Sequence, residues 1–89
     1  MAKVRIEMRV EVYIKPSCSL CERAQEMLSL TRERCAFELI VHDIYERADW
    51  FAQYRYDIPV VVIDGVERLK LSFSQAELVS ELAAAATEN

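Results

Sequence analysis

From Val4 to Ile14 every second residue is apolar: Val4, Ile6, Met8, Val10, Val12 and Ile14. Alternation with period two marks a strand, because successive side chains point to opposite faces. Arg5, Glu7, Arg9 and Glu11 fall on the other face, which does not suit a strand buried on both sides. The pattern is therefore read as a central strand over Arg9 to Ile14, with residues 1–8 as an N-terminal extension or edge segment. Glu11 on such a strand requires a partner or water. The period then changes. From Ser19 to Arg32, Leu20, Ala24, Met27, Leu28 and Thr31 recur at helical spacing, and Glu22, Arg23, Glu26 and Ser29 take the solvent face.

Phe37 to Val41 reads as a second strand. Two strands joined through one helix predict a parallel β-α-β unit. Asp43 begins a turn, and Glu46 to Tyr54 forms a short helix that buries Trp50, Phe51 and Tyr54. Ile58 to Ile63 is the most apolar run, followed by Asp64-Gly65 and a further strand from Val66 to Leu71. Asp-Gly between two strands predicts a tight hairpin, since both turn residues need positive φ. The last helix starts at Ser74 as N-cap, with Glu77 three residues on and Phe73 placed to staple onto Leu78. It runs to Ala86, and residues 87–89 are expected to fray. The order is β-α-β-α-β-β-α: an α/β domain, residues 1–89 as one unit, with a four-stranded mixed sheet and helices on both faces.

Composition narrows the partners. An 89-residue chain that is 53% hydrophobic and 29% charged is long enough for one core. Its net charge of −4, without a basic block, argues against nucleic acid. No apolar run is long enough to span a bilayer, and the first residues lack the apolar middle of a signal peptide. A cytoplasmic monomer is the expectation. Three cysteines in a reducing compartment do not make a structural framework, so a close pair points to redox or metal work.

That pair is Cys18 and Cys21, at the junction of the first strand and the first helix. The positive end of a helix dipole favours a thiolate over a thiol, and Lys15 adds a second positive influence nearby. Pro16 stiffens the approach and lacks an amide hydrogen that no strand needs there. Cys18, at the helix start, fits an attacking thiolate. Cys21, one turn in, fits a resolving thiol, and the spacing brings the two sulfurs within bonding reach. Two other readings stand beside this one. Two thiols fill only half of a tetrahedral metal site, and His42 lies on a strand elsewhere, so a metal or cluster would need a second chain's ligands. The pair could also be an inert relic on a binding scaffold. Cys35 reads as a half-buried structural cysteine, His42 as a satisfied structural histidine, and Tyr13 as a residue that can edge a groove.

Tyr13 to Cys21, read Tyr-Ile-Lys-Pro-Ser-Cys-Ser-Leu-Cys, resembles a glutaredoxin active-site segment, including the lysine ahead of the first cysteine. Ile58-Pro59 stands before the hairpin strand, where the thioredoxin superfamily places its cis-proline. Asp64-Gly65 stands where related proteins turn. Over Arg9 to Ala86 the chain thus resembles a glutaredoxin-like member of the thioredoxin superfamily, closest to the small bacterial glutaredoxin-like group. The resemblance implies a thioredoxin-like fold and thiol–disulfide exchange at Cys18 and Cys21, with no bound cofactor or metal. It also implies a cis Pro59 facing Cys18, which leaves the Ile58 backbone to pair with an extended substrate.

Two departures bear on the substrate. Ser19-Leu20 stands between the cysteines where glutaredoxins usually carry Pro-Tyr. Leu69 to Ser74 holds no glycine where they carry a Gly-Gly pair against bound glutathione. Glutathione is the implied reductant or mixed-disulfide partner, and the missing pair tilts the expected acceptor toward a protein disulfide. The expected site is thus Cys18 and Cys21 for chemistry, with Lys15, Tyr13, Ile58 and Pro59 for substrate. The alternatives are a non-enzymatic binding or redox-sensing module and a dimer bridging a metal or cluster.

Overall fold

The computed structural model describes residues 8–88, so the expected extension over residues 1–8 lies outside it except for Met8. The elements are β1 (Arg9–Ile14), α1 (Ser19–Arg32), β2 (Glu38–Asp43), α2 (Ala48–Tyr54), β3 (Val60–Ile63), β4 (Val66–Lys70) and α3 (Gln75–Ala86), with a 3-10 turn over Ile44–Glu46 between β2 and α2. The sheet order is β2-β1-β3-β4. β1 runs parallel to β2 and antiparallel to β3, and β3 and β4 form an antiparallel hairpin closed by Asp64 and Gly65, both at positive φ. This is the mixed four-stranded sheet the residue pattern predicts.

Alternation along β1 sends its side chains into two cores. Val10 and Val12, with Val61 and Ile63, pack against Ala24 and Leu28 of α1 and Leu78, Leu82 and Ala85 of α3. Tyr13, Val60 and Val62 face the other way, with Ile44 and Tyr54. Helices therefore cover both faces of the sheet. A fully buried Val or Leu contributes about 1.5–3 kcal/mol, so these alternating positions carry most of the sheet's hold on its helices. A polar tie joins the two helices on one face: the Gln75 amide donates to Thr31 Oγ1 at 2.8 Å, and Thr31 Oγ1 donates to the Met27 carbonyl at 2.7 Å.

Local signals set the element ends. Ser74 caps α3 with a reciprocal box: its Oγ accepts from Glu77 N at 3.1 Å, and Glu77 Oε1 accepts from Ser74 N at 2.8 Å. Asp64 Oδ1 accepts from Arg9 N at 2.9 Å, and Asp64 N donates to the Arg9 carbonyl at 2.8 Å, tying the hairpin turn to the start of β1. At the far end, Glu88 N donates to the Ala85 carbonyl, and Arg68 donates to Glu88 and Glu81.

Two boundaries and two side-chain placements differ from the residue pattern. β2 extends to His42 and Asp43, because the parallel register pairs them with Tyr13 and Ile14. The second helical segment is split at Arg47, which is extended (φ −142°, ψ 134°); Asp43 accepts from Tyr45 N and starts a separate 3-10 turn that buries Ile44 completely. On α1 the buried positions are Cys21, Ala24, Leu28 and Thr31, which turns Leu20 outward at 40% exposure. Phe51 is likewise exposed, lying against Tyr45 and Arg55, while Tyr54 is the buried residue of α2.

Candidate active site

Two thiols meet where β1 hands over to α1. Cys18 is the N-cap of α1 in extended conformation, and its Sγ accepts the Cys21 N–H at 3.2 Å. Cysteine here takes the place of the serine or aspartate that usually satisfies a helix's first amides, so the sulfur sits at the positive end of the dipole. Cys18 and Cys21 are disulfide-bonded, with Cα atoms 5.2 Å apart. Their exposures differ: Cys18 is half-buried, while Cys21 is 1% exposed and lies inside the core. Only Cys18 can meet an incoming sulfur without opening the fold.

The approach to Cys18 is shaped by Pro16 and by Ser17, whose φ is +57°. Lys15 is half-buried and has no ion-pair partner among the described residues. Tyr13, Cys21, Ile58 and Val60 share one core cluster, against which Cys18 and Trp50 pack. Pro59 lies between two members of that cluster, is fully buried, and follows a cis Ile58–Pro59 bond. Neither the N–H nor the C=O of Ile58 has a backbone hydrogen-bond partner among the described residues. The expected site residues from Tyr13, Cys18, Cys21 and Ile58 thus gather around one cluster, with Pro59 between its members. No contact places Lys15 on a partner.

Behind the thiols stands an aromatic group that the residue pattern did not assemble. Tyr13 stacks on His42 (ring centroids 4.7 Å, 27°) and lies 4.4 Å from Tyr54, and Trp50 meets both Tyr13 and His42. Burial, then the charges of Glu11 and Tyr54, push the Tyr13 hydroxyl above its ordinary pKa. His42 Nε2 donates to Glu11 Oε2 at 2.9 Å, since a carboxylate can only accept. This pair supplies the partner that Glu11 required. Cys35, half-buried, is the free cysteine. Among the described residues, no three His, Cys, Asp or Glu side chains are grouped to hold a metal ion. Nor is any described helix long and apolar enough to cross a membrane.

Comparison with solved structures places this arrangement among known folds. A structural genomics target protein from Xanthomonas campestris, XcR50, is 29% identical over 84% of this chain and 96% of its own, with a TM-score of 0.67. Protein Ne2328 of Nitrosomonas europaea is 20% identical over 91% of this chain and 98% of its own, with a TM-score of 0.75. Thioredoxin 1 of Thermosipho africanus is 20% identical over 86% of this chain and 92% of its own, with a TM-score of 0.66. A thioredoxin-like fold with a C-x-x-C pair at this junction supports a redox-type role. The family described as Glutaredoxin-like domain (DUF836) matches residues 9–83. From β1 through most of α3, then, the sheet order, the capped dithiol and the family match agree, and the chain belongs to this glutaredoxin-like family.

Proposed function

We propose that the protein is a thiol–disulfide oxidoreductase, with Cys18 attacking and Cys21 resolving. One observation carries the reading: the accessible sulfur of Cys18 accepts the Cys21 amide at the helix start, with the Cys21 sulfur buried behind it. In the reduced protein the Cys18 thiolate attacks one sulfur of a substrate disulfide. A new S–S bond joins protein and substrate, and the departing substrate sulfur takes a proton from water. Cys21, losing its proton, then attacks Cys18 Sγ and releases the second substrate thiol. Two electrons and two protons have passed to the substrate, and the Cys18–Cys21 disulfide remains. Two equivalents of an external thiol return them and leave as a disulfide; the family resemblance suggests glutathione.

The substrate class is a protein disulfide or a glutathione mixed disulfide. The unpartnered backbone of Ile58, beside Pro59, suits an extended polypeptide that adds its own hydrogen bonds there. Lys15 supplies positive charge on the approach to Cys18, and Tyr13 backs the cluster behind the dithiol. The work is that of a cytoplasmic monomer acting without a resident cofactor or metal. The test uses Cys18→Ser and Cys21→Ser with a disulfide-linked peptide. Loss of all exchange in the first and accumulation of a protein–peptide mixed disulfide in the second support the assignment; turnover by the Cys18 variant rejects it.

A further inference from the structure

Among the described residues, Ser17, Asp64 and Leu71 are the non-glycine positions with positive φ, at 57°, 49° and 65°. Asp64 is explained by its turn with Gly65, and aspartate tolerates this region. Leu71 is not so explained. In the left-handed region its Cβ crowds the following carbonyl, a cost that glycine avoids. The backbone is nonetheless held there by two acceptors, since Leu71 N donates to the carbonyls of Asp57 at 3.2 Å and Pro59 at 2.9 Å. Burial offsets only part of that cost, because Leu71 is 43% exposed. A bulky apolar side chain therefore stands in a left-handed conformation and is partly open to water. Such strain persists only where the surrounding structure holds it, and it clusters at active sites and ligand clamps.

The place of this residue suggests the use. Val60 pairs with Lys70 in the hairpin, so the Leu71-to-Pro59 hydrogen bond puts Leu71 on the next rung, across from Pro59. Ile58 and Val60, on either side of Pro59, belong to the cluster against which Cys18 packs. Ser17, the remaining non-glycine position with positive φ, lies in the bend after Pro16 and directly precedes Cys18. The two positions are thus linked to the dithiol, Ser17 along the chain and Leu71 through its hydrogen bond to Pro59.

We propose that Leu71 is a specificity-determining residue of the dithiol site, offering an apolar contact to a polypeptide disulfide whose cysteine has an apolar neighbour. This rests on the redox reading above and narrows its substrate class to proteins. An extended chain hydrogen-bonded along Ile58 passes beside the Pro59–Leu71 rung, where a leucine contributes by burial and a glycine does not. Glutathione carries only glycine and a γ-linked glutamate beside its cysteine, so it gains nothing from this contact.

The test is a single-turnover measurement with the reduced full chain and two disulfide-linked peptide homodimers, alike except for leucine or aspartate next to the cysteine. Each reaction oxidises Cys18 and Cys21 to the disulfide and reduces one peptide dimer to two thiols, so no other reductant is needed. The wild-type protein is expected to prefer the leucine peptide by about tenfold, the effect of roughly half a buried leucine side chain. Leu71→Gly and Leu71→Asn both remove the apolar branch, and asparagine keeps a side chain that tolerates the left-handed region. In both variants the preference is expected to fall below about twofold, and Leu71→Gly is expected to raise Tm. An unchanged preference in the two variants, or none in the wild type, overturns the proposal. Failure of the wild type to reduce either peptide is a distinct result, which removes the redox reading and this inference with it.

Discussion

Glu11 and His42 meet across two parallel strands, with Nε2 and Oε2 2.9 Å apart and each side chain less than a fifth exposed. The hydrogen bond partners a carboxylate that alternation along β1 would otherwise leave facing an aromatic cluster. It also orients the imidazole that stacks on Tyr13, one step from the core that holds Cys21. Removing one partner leaves the other's polar atoms poorly hydrated. Glu11→Ala is therefore expected to destabilise the fold by about 1–3 kcal/mol in urea unfolding. Glu11→Gln, which keeps an oxygen acceptor, should cost distinctly less; equal costs would show that charge, not the hydrogen bond, carries the effect.

Cys18 is expected to be the fast thiol of the reduced protein. The Cys21 amide and the start of α1 both favour its anion, so iodoacetamide should label Cys18 first, with a half-point below the ~8.5 of a free cysteine. Peptide mapping after brief labelling distinguishes it from Cys21 and Cys35. Preferential labelling of Cys21 would reverse the assigned roles.

Alkaline pH should loosen the face of the sheet that carries Tyr13. Burial first, then the charge of Glu11, raises the Tyr13 hydroxyl above the ordinary tyrosine value; burial first, then Glu67 and Glu11, raises Tyr54 in the same direction. The folded state then holds protons that the unfolded chain has lost. Stability is full below the unfolded value near 10 and falls as pH rises through the higher folded values. Denaturant midpoints measured from pH 8 to 11 should show this decline, and Tyr13→Phe should flatten it.

The N-terminal box of α3 offers a local test of stability. Ser74→Ala removes the acceptor for Glu77 N and is expected to cost about 1 kcal/mol, with a corresponding drop in Tm. Because the box lies on α3, no residue of which belongs to the cluster against which Cys18 packs, the labelling rate of Cys18 should be retained.

Arg68 joins β4 to the end of α3. Its guanidinium donates to Glu81 and Glu88 with only 12% of the side chain exposed, and its Nε has no partner among the described residues. Arg68→Met, which keeps the stem's packing and removes the charge, should raise amide hydrogen exchange over the last turn of α3 more than over β1. Uniform acceleration across the chain would instead indicate a global loss of stability.

Much of this molecule was legible in short stretches of chain. Alternation over Arg9 to Ile14, the helical face over Ala24 to Thr31, Asp64-Gly65 and the Ser74/Glu77 box each depend on residues a few positions apart, so local geometry decides them. The Cys18/Cys21 spacing at a strand-to-helix junction is of the same kind. Distant partners decided the rest. Glu11 and His42 are separated by 31 positions and meet only because β2 continues in parallel register to Asp43. Phe51 lies outward against Tyr45 and Arg55, and the left-handed φ of Leu71 accompanies carbonyls of Asp57 and Pro59 brought to one amide. No glycine signals that bend. Linear order therefore determined which elements form and where two thiols lie, whereas only the folded sheet decided what stands behind and beside them, because those contacts arise from strand pairing and not from neighbours in the chain.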